Sequence, residues 1–139
     1  MSTSPDDFNA RIIDEFRANE GRVGGPFEGG TLLLLHHVGA KTGAARVNPL
    51  MYNRDGDRYV IFASKAGAPT NPAWYHNLLA NPKTTIEVGT DTIDVVASEA
   101  TGEERDRLYG IQAKERPQFA EYQANTDRVI PVVVLTPAG

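Results

Sequence analysis

Six short apolar stretches, each bounded by turn-forming residues, constrain this chain more than any other feature. They are TLLLLHHV (31–38), ARVNPLMYN (45–53), RYVIFAS (58–64), TTIEV (84–88), TIDVVASEA (92–100) and VIPVVVL (129–135). All are the length of a strand and most are rich in β-branched or aromatic residues. Arg54-Asp55-Gly56-Asp57 separates the second from the third, and Asp-Gly readily supplies the positive φ of a tight hairpin turn. Gly89-Thr90-Asp91 reads as a second such turn. Hairpin spacing predicts a mostly antiparallel sheet. Six strands in 139 residues are expected to curl into a barrel that hides their edges.

Helical signals lie around these stretches. Ser4 reads as a cap, Pro5 as the first helical residue, and Phe8, Ile12 and Phe16, with Ile13 beside them, form one apolar stripe. Residues 1–20 are therefore read as an amphipathic helix that docks on its own domain, with a partner or membrane surface as the alternative. Five glycines and a proline in GRVGGPFEGG mark 21–30 as a connector. The rest, 31–139, is the barrel, and the whole of 1–139 is one domain. Asn71 is expected to cap a helix that starts at Pro72 and runs to about Ala80, where Asn81-Pro82 stops it. Thr101 with Glu104 suggests a capping box for a helix to about Glu115. Pro117 interrupts that helix, and Phe119–Ala124 form a further turn or two.

Composition removes several function classes. The chain has no cysteine, which excludes disulfides, thiol catalysis and cysteine-ligated metal. A net charge of −4 argues against a general nucleic-acid surface. Within 31–65, however, Lys41, Arg46, Arg54, Arg58 and Lys65 face only Asp55 and Asp57, a local excess suited to a small anion. Solvated surface charge is the plainer alternative. No apolar run approaches the length of a membrane span, and no basic region followed by an apolar segment opens the chain, so a cytoplasmic location is expected.

Motif searches narrow the chemistry further. Gly39-Ala40-Lys41-Thr42-Gly43 invites a phosphate-loop reading, but Leu35 and Ala40 stand where that loop needs glycine. What survives is a glycine-bounded turn presenting a lysine, a hydroxyl and backbone N–H groups, either an anion-binding nest or a bare hairpin turn. Neither G-x-G-x-x-G nor G-x-S-x-G occurs, and His36, His37 and His76 lack zincin spacing, so no metal site is expected. Adjacent strand residues point to opposite faces, so one of His36 and His37 lines the barrel interior or a pocket. Asn71-Pro72-Ala73-Trp74-Tyr75 sets a helix N-terminus beside two aromatics, suited to an anionic ligand with a flat ring or to a buried anchor.

Taken together, AKTGAARVNPLMYNRDGDRYVIFASKAGAPTNPAWYHNLLANP and the later TDRVIPVVVL resemble the deazaflavin-dependent nitroreductase family, over roughly residues 24–137. The resemblance implies an α+β fold, a mostly antiparallel split β-barrel of six to seven strands with flanking helices, like the FMN-binding split barrels. It further implies a reductase that uses coenzyme F420 to transfer hydride to an electron-poor small molecule: a quinone, enone or nitro compound. An F420-reducing dehydrogenase would be the indirect source of reduced cofactor. Peripheral membrane contact is a further expectation, because a natural acceptor could be a membrane quinone. By the same resemblance the cofactor groove is lined by Lys41, Thr42, Arg46, Val47, Asn48, Pro49 and Leu50, by Ala63, Ser64 and Lys65, and by Ala73, Trp74, Tyr75 and Asn77. Tyr122 is the catalytic candidate, as a phenol able to hydrogen-bond the acceptor. Arg116 and Phe119 stand where relatives commonly carry tyrosines, which removes phenols expected for nitro reduction. The competing readings are a non-catalytic binder of the deazaflavin or of a lipid-like ligand, and an FMN-binding relative.

Overall fold

The apolar stretches form strands whose burial follows from how many faces are covered. The computed structural model describes residues 5–19, 32–40, 42–64, 71–126 and 129–138, with side chains from Ala10 onward. The expected connector at 21–30, the Ser4 cap, Phe8 of the helical stripe, and Lys41 and Lys65 lie outside that description. Among the described residues there are six strands: β1 (Leu32–Val38), β2 (Ala45–Asp55), β3 (Arg58–Phe62), β4 (Lys83–Val88), β5 (Asp91–Ala100) and β6 (Val132–Pro137). They close into a barrel in the order β1-β2-β3-β6-β5-β4, and every pairing is antiparallel. The Asp-Gly hairpin forms as read, with Gly56 at φ 65° between β2 and β3.

Alternation divides β1, β3 and β6 between an interior core and outer cores under the helices. Leu33, Leu35, Ile61, Ile86, Val95, Val133 and Leu135 form the interior cluster. The opposite faces of β1, β3 and β6 are covered by helices, which explains their unbroken apolar runs. Leu32 and Leu34 pack under α1 (Pro5–Ala18) against Ile12 and Phe16. Val60, Phe62, Val132 and Val134 pack under α3 (Gly102–Glu115) and α4 (Gln118–Ala124) against Leu108, Tyr109 and Phe119. The Tyr109 hydroxyl donates to the Phe119 carbonyl and ties the two helices together. Arg17 makes a two-pronged bond to Glu87 on β4, at 3.1 and 2.7 Å, and His36 Nε2 lies 2.7 Å from the same carboxylate. The N-terminal helix is thus docked on its own barrel.

Two capping expectations are corrected. The helix expected from Pro72 is α2 (Ala73–Ala80), and its N-cap is Pro72, not Asn71. Pro72 holds an extended ψ of 154°, so helical geometry starts one residue later. Thr101 does occupy the N-cap of α3 but makes no side-chain cap bond. Gly102 takes a left-handed φ of 60°, which turns Thr101 out of line with the first-turn N–H groups. Glu103 and Glu104 still favour that end through the helix dipole. Among the described residues, no helix is long and apolar enough to cross a membrane.

Candidate functional site

Among the described residues, β2 changes partner along its length. Residues 45–51 pair with β1 along one edge, from Val38↔Ala45 to Leu32↔Met51. On the other edge β2 pairs with β3 only from Tyr52↔Ile61 to Asp55↔Arg58. Continued, that register would set Leu50 opposite Ala63 and Pro49 opposite Ser64, yet no strand pairs 45–51 on this side among the described residues. Ala63 instead donates its N–H to the Pro131 carbonyl at 2.9 Å, holding the chain against the β6 side of the split. A strand paired on one edge presents alternate backbone N–H and C=O groups from the other. Pro49, which has no N–H to give a ladder, is tolerated in such a segment. Val47 through Asn53 are all half-buried.

The glycine turn stands at one end of this edge. Gly39 N–H donates to Ala44 O at 2.9 Å, Gly43 N–H to Gly39 O at 2.8 Å, and Ala44 N–H to Thr42 Oγ1 at 3.3 Å. Gly43 has φ 69°, a conformation that side chains disfavour. A Cβ on Gly39 would come within 2.5 Å of Thr42 Oγ1, so the turn closes tightly on itself. Arg46 follows on β2 and is exposed.

A hydrogen-bonded chain joins this turn to α2 and β2. Ala40 N–H donates to Asn77 Oδ1 at 2.9 Å, Asn77 Nδ2 lies 3.0 Å from His37 Nδ1, and His37 Nε2 lies 2.6 Å from Asn48 Oδ1. Asn77 must aim its oxygen at the backbone N–H, so its NH₂ donates to His37 Nδ1. The imidazole is then neutral, with its proton on Nε2 and donated to Asn48. Burial pushes the His37 pKa down, and the positive Arg46 and neighbouring His36 add to the effect against the Asn48 bond. An unfolded histidine titrates near 6.5, so below that pH the unfolded chain binds a proton that the folded site resists. Stability is expected to fall as pH drops from 6.5 toward the depressed folded value and then to level off. Urea unfolding from pH 7.5 to 5, compared with His37→Gln to cancel the carboxylates, measures it; parallel curves for the two proteins would refute it.

The residues expected to line a groove are thus partly brought together. Thr42, Arg46, Asn48 and Asn77 converge on the turn and the His37 chain. On β2, Leu50 turns to the interior cluster, while Val47 packs on the opposite face under α1. Ala63 and Ser64 stand across the split. The aromatic rings of α2 go elsewhere: Trp74 and Tyr75 are 5% and 9% exposed and sit in the interior cluster with Leu78. The Tyr75 hydroxyl donates to Glu99 Oε1 at 2.7 Å, and burial, then this partner, pushes its pKa up to about 12. Ala73 remains exposed at the start of the helix. Tyr122 is half-buried on α4, its ring 5.2 Å from that of Phe119 in an edge contact, and packs against the same outer cluster as Met51. Sequence reading left His37 out of the site. Its signal was a polar residue in register with Leu33 and Leu35 on an inward strand face.

Comparison with known proteins bears on the fold and the family. The family model for F420H(2)-dependent quinone reductases matches residues 10–137. The F420H(2)-dependent quinone reductase Rv1261c of Mycobacterium tuberculosis is 45% identical over 125 residues, covering 87% of this chain and 84% of that protein. The solved structure of an F420-H2 dependent reductase (FDR-A) superposes with a TM-score of 0.69 at 39% identity, over 75% of this chain and 92% of the other. A chain solved as a domain-swapped dimer gives 0.71 at 35% identity, over 95% and 99%. The split-barrel reading and the resemblance to a deazaflavin-dependent family are borne out, with a quinone rather than a nitro compound in the family's name. This chain belongs to the F420H(2)-dependent quinone reductase family.

Proposed function

We propose that this protein reduces a quinone with reduced coenzyme F420, held along the open edge of β2. The observation that carries the reading is the loss of β2–β3 pairing beyond Tyr52↔Ile61, at the residues expected to meet the cofactor. The residues fit such a group. A flat ring with a polar edge needs in-plane donors and acceptors, which the backbone around Asn48, Leu50 and Ser64 can supply. A phosphate and carboxylate tail needs cations and N–H groups, which Arg46 and the glycine turn provide, with Lys41 and Lys65 assigned the same role. The N-terminus of α2 at Ala73 adds positive potential.

When bound, the reduced deazaflavin supplies the hydride. This chain's own work is to orient the ring against the acceptor, neutralise the tail and limit water at the reacting face. Tyr122 is assigned the hydrogen bond to the acceptor's carbonyl oxygen, from the α4 side.

Fluorescence titration with oxidised F420, in parallel with FMN, tests the cofactor, and a quinone assay tests the acceptor. Salt-sensitive binding of F420 without FMN, followed by quinone turnover, is expected. Binding of FMN alone would assign a flavin-dependent relative. F420 binding without turnover of any quinone would leave a non-catalytic binder.

A further inference from the structure

We propose that His37 is a positioning residue for the cofactor groove, joining Asn48, Asn77 and Ala40 of the glycine turn in one hydrogen-bonded chain that is complete only while its imidazole is neutral. The inference rests on the proposed groove and adds a residue and a pH response to it. The bond directions form a strict sequence. Ala40 N–H requires an acceptor, so Asn77 offers Oδ1 to it and NH₂ to His37 Nδ1. A proton on Nδ1 would then face an NH₂ donor. Rotating the Asn77 amide to present its oxygen would instead set NH₂ against Ala40 N–H. One of the two bonds is lost either way, so protonation of a buried ring is transmitted to the backbone next to Lys41.

The same ring fixes the other end. Nε2–H holds Asn48 Oδ1 and thereby decides that Nδ2 is the amide end left for other partners at the groove floor. His37 is 3% exposed, so water does not substitute readily for either bond. The groups acting on it are Arg46, directly across the β1–β2 pair, and His36, next on β1, both of which disfavour the cation. From α2 the ring meets the neutral amide of Asn77. No carboxylate among the described residues acts to stabilise a charged His37.

The test is the affinity for oxidised F420 from pH 8 to 5 at constant ionic strength, for wild type, His37→Gln, Asn77→Asp and Arg46→Ala. The cofactor's own ionisations are common to all four and cancel in the comparison. Loss of one buried hydrogen bond worth about 1 kcal/mol corresponds to roughly fivefold in affinity. Wild type is expected to lose about that factor more than His37→Gln does on acidification. Asn77→Asp can accept both from Ala40 N–H and from a protonated Nδ1, so it should bind better at pH 5 than wild type relative to pH 8. A purely structural role would not predict that reversal. Imidazole ¹⁵N shifts of the cofactor-free protein should report an Nε2–H tautomer at pH 7.5, with Asn77→Asp raising the pH at which the ring takes up its proton. Circular dichroism establishes that each variant is folded, and should His37→Gln fail to fold, Asn77→Asp and the ring titration decide alone.

Superimposable pH profiles for wild type and His37→Gln, or no gain for Asn77→Asp at low pH, would overturn the assignment. If Arg46→Ala still weakened binding at every pH, the groove would stand without His37. If Arg46→Ala also had no effect, the groove itself would be misplaced and the inference would fall with it.

Discussion

Trp74→Ala is expected to lower folding stability by about 3–5 kcal/mol, the usual range for removing a buried tryptophan, as measured by urea unfolding. The indole is 5% exposed and packs among the interior side chains of several strands. Its helix depends on tertiary contacts, of which the indole is the largest apolar one. α2 has 8 residues, too few to be stable in isolation, and makes no side-chain cap bond at its N-terminus. Tertiary burial of Trp74, Tyr75 and Leu78 therefore holds it in place. Leu79, 54% exposed on the same helix, serves as the control, and its alanine variant should stay within about 0.5 kcal/mol of wild type. Because α2 carries Asn77, Trp74→Ala should also weaken F420 binding under conditions where the protein is still folded. A stability loss below about 1 kcal/mol would show that α2 is held by something other than its aromatic anchor.

Arg46→Glu is expected to raise the Kd for F420 on the order of 10- to 100-fold, since a charge-assisted hydrogen bond is worth about 1.5–3 kcal/mol and reversal adds repulsion. Arg46 is exposed, so folding stability should hardly change. Salt gives a second readout. Wild-type affinity should fall as salt rises, and the variant's should fall less, because a screened attraction has been removed. Lys83→Glu makes the same change in net charge at an exposed position on β4 and should leave binding near wild type. Equal losses in the two variants would mean that overall charge, not a site at Arg46, attracts the cofactor. Arg46→Glu should also raise the pH at which His37 titrates, since a cation that opposes its proton becomes an anion that favours it.

Local chemistry made much of the fold readable. The Asp55-Gly56 turn was legible because positive φ is nearly a property of the residue itself. LLLL and VVVL were legible as strands because their length and branching suit a pleated surface, and α1 because its apolar residues recur on one face. The proposed site rests mainly on the family-like segments. Caps were harder: Thr101 has the right residue type, yet one glycine at positive φ removes its bond. The α2 aromatics left two readings open from sequence, and burial sent Trp74 and Tyr75 into the barrel.

By itself the sequence determined the strand and helix inventory, the apolar face of α1, the absence of thiol chemistry and the segments proposed to face a cofactor. Only the tertiary structure decided that β6 lies between β3 and β5, that β1 meets β4 to close the barrel, and that β2 parts from β3 beyond Tyr52. It also decided that His37 would meet Asn77, forty residues away in the chain. The physical reason is range. Turn geometry, periodicity and capping preferences act over a few residues, whereas strand order, ladder ends and buried polar partners depend on which distant surfaces exclude water together.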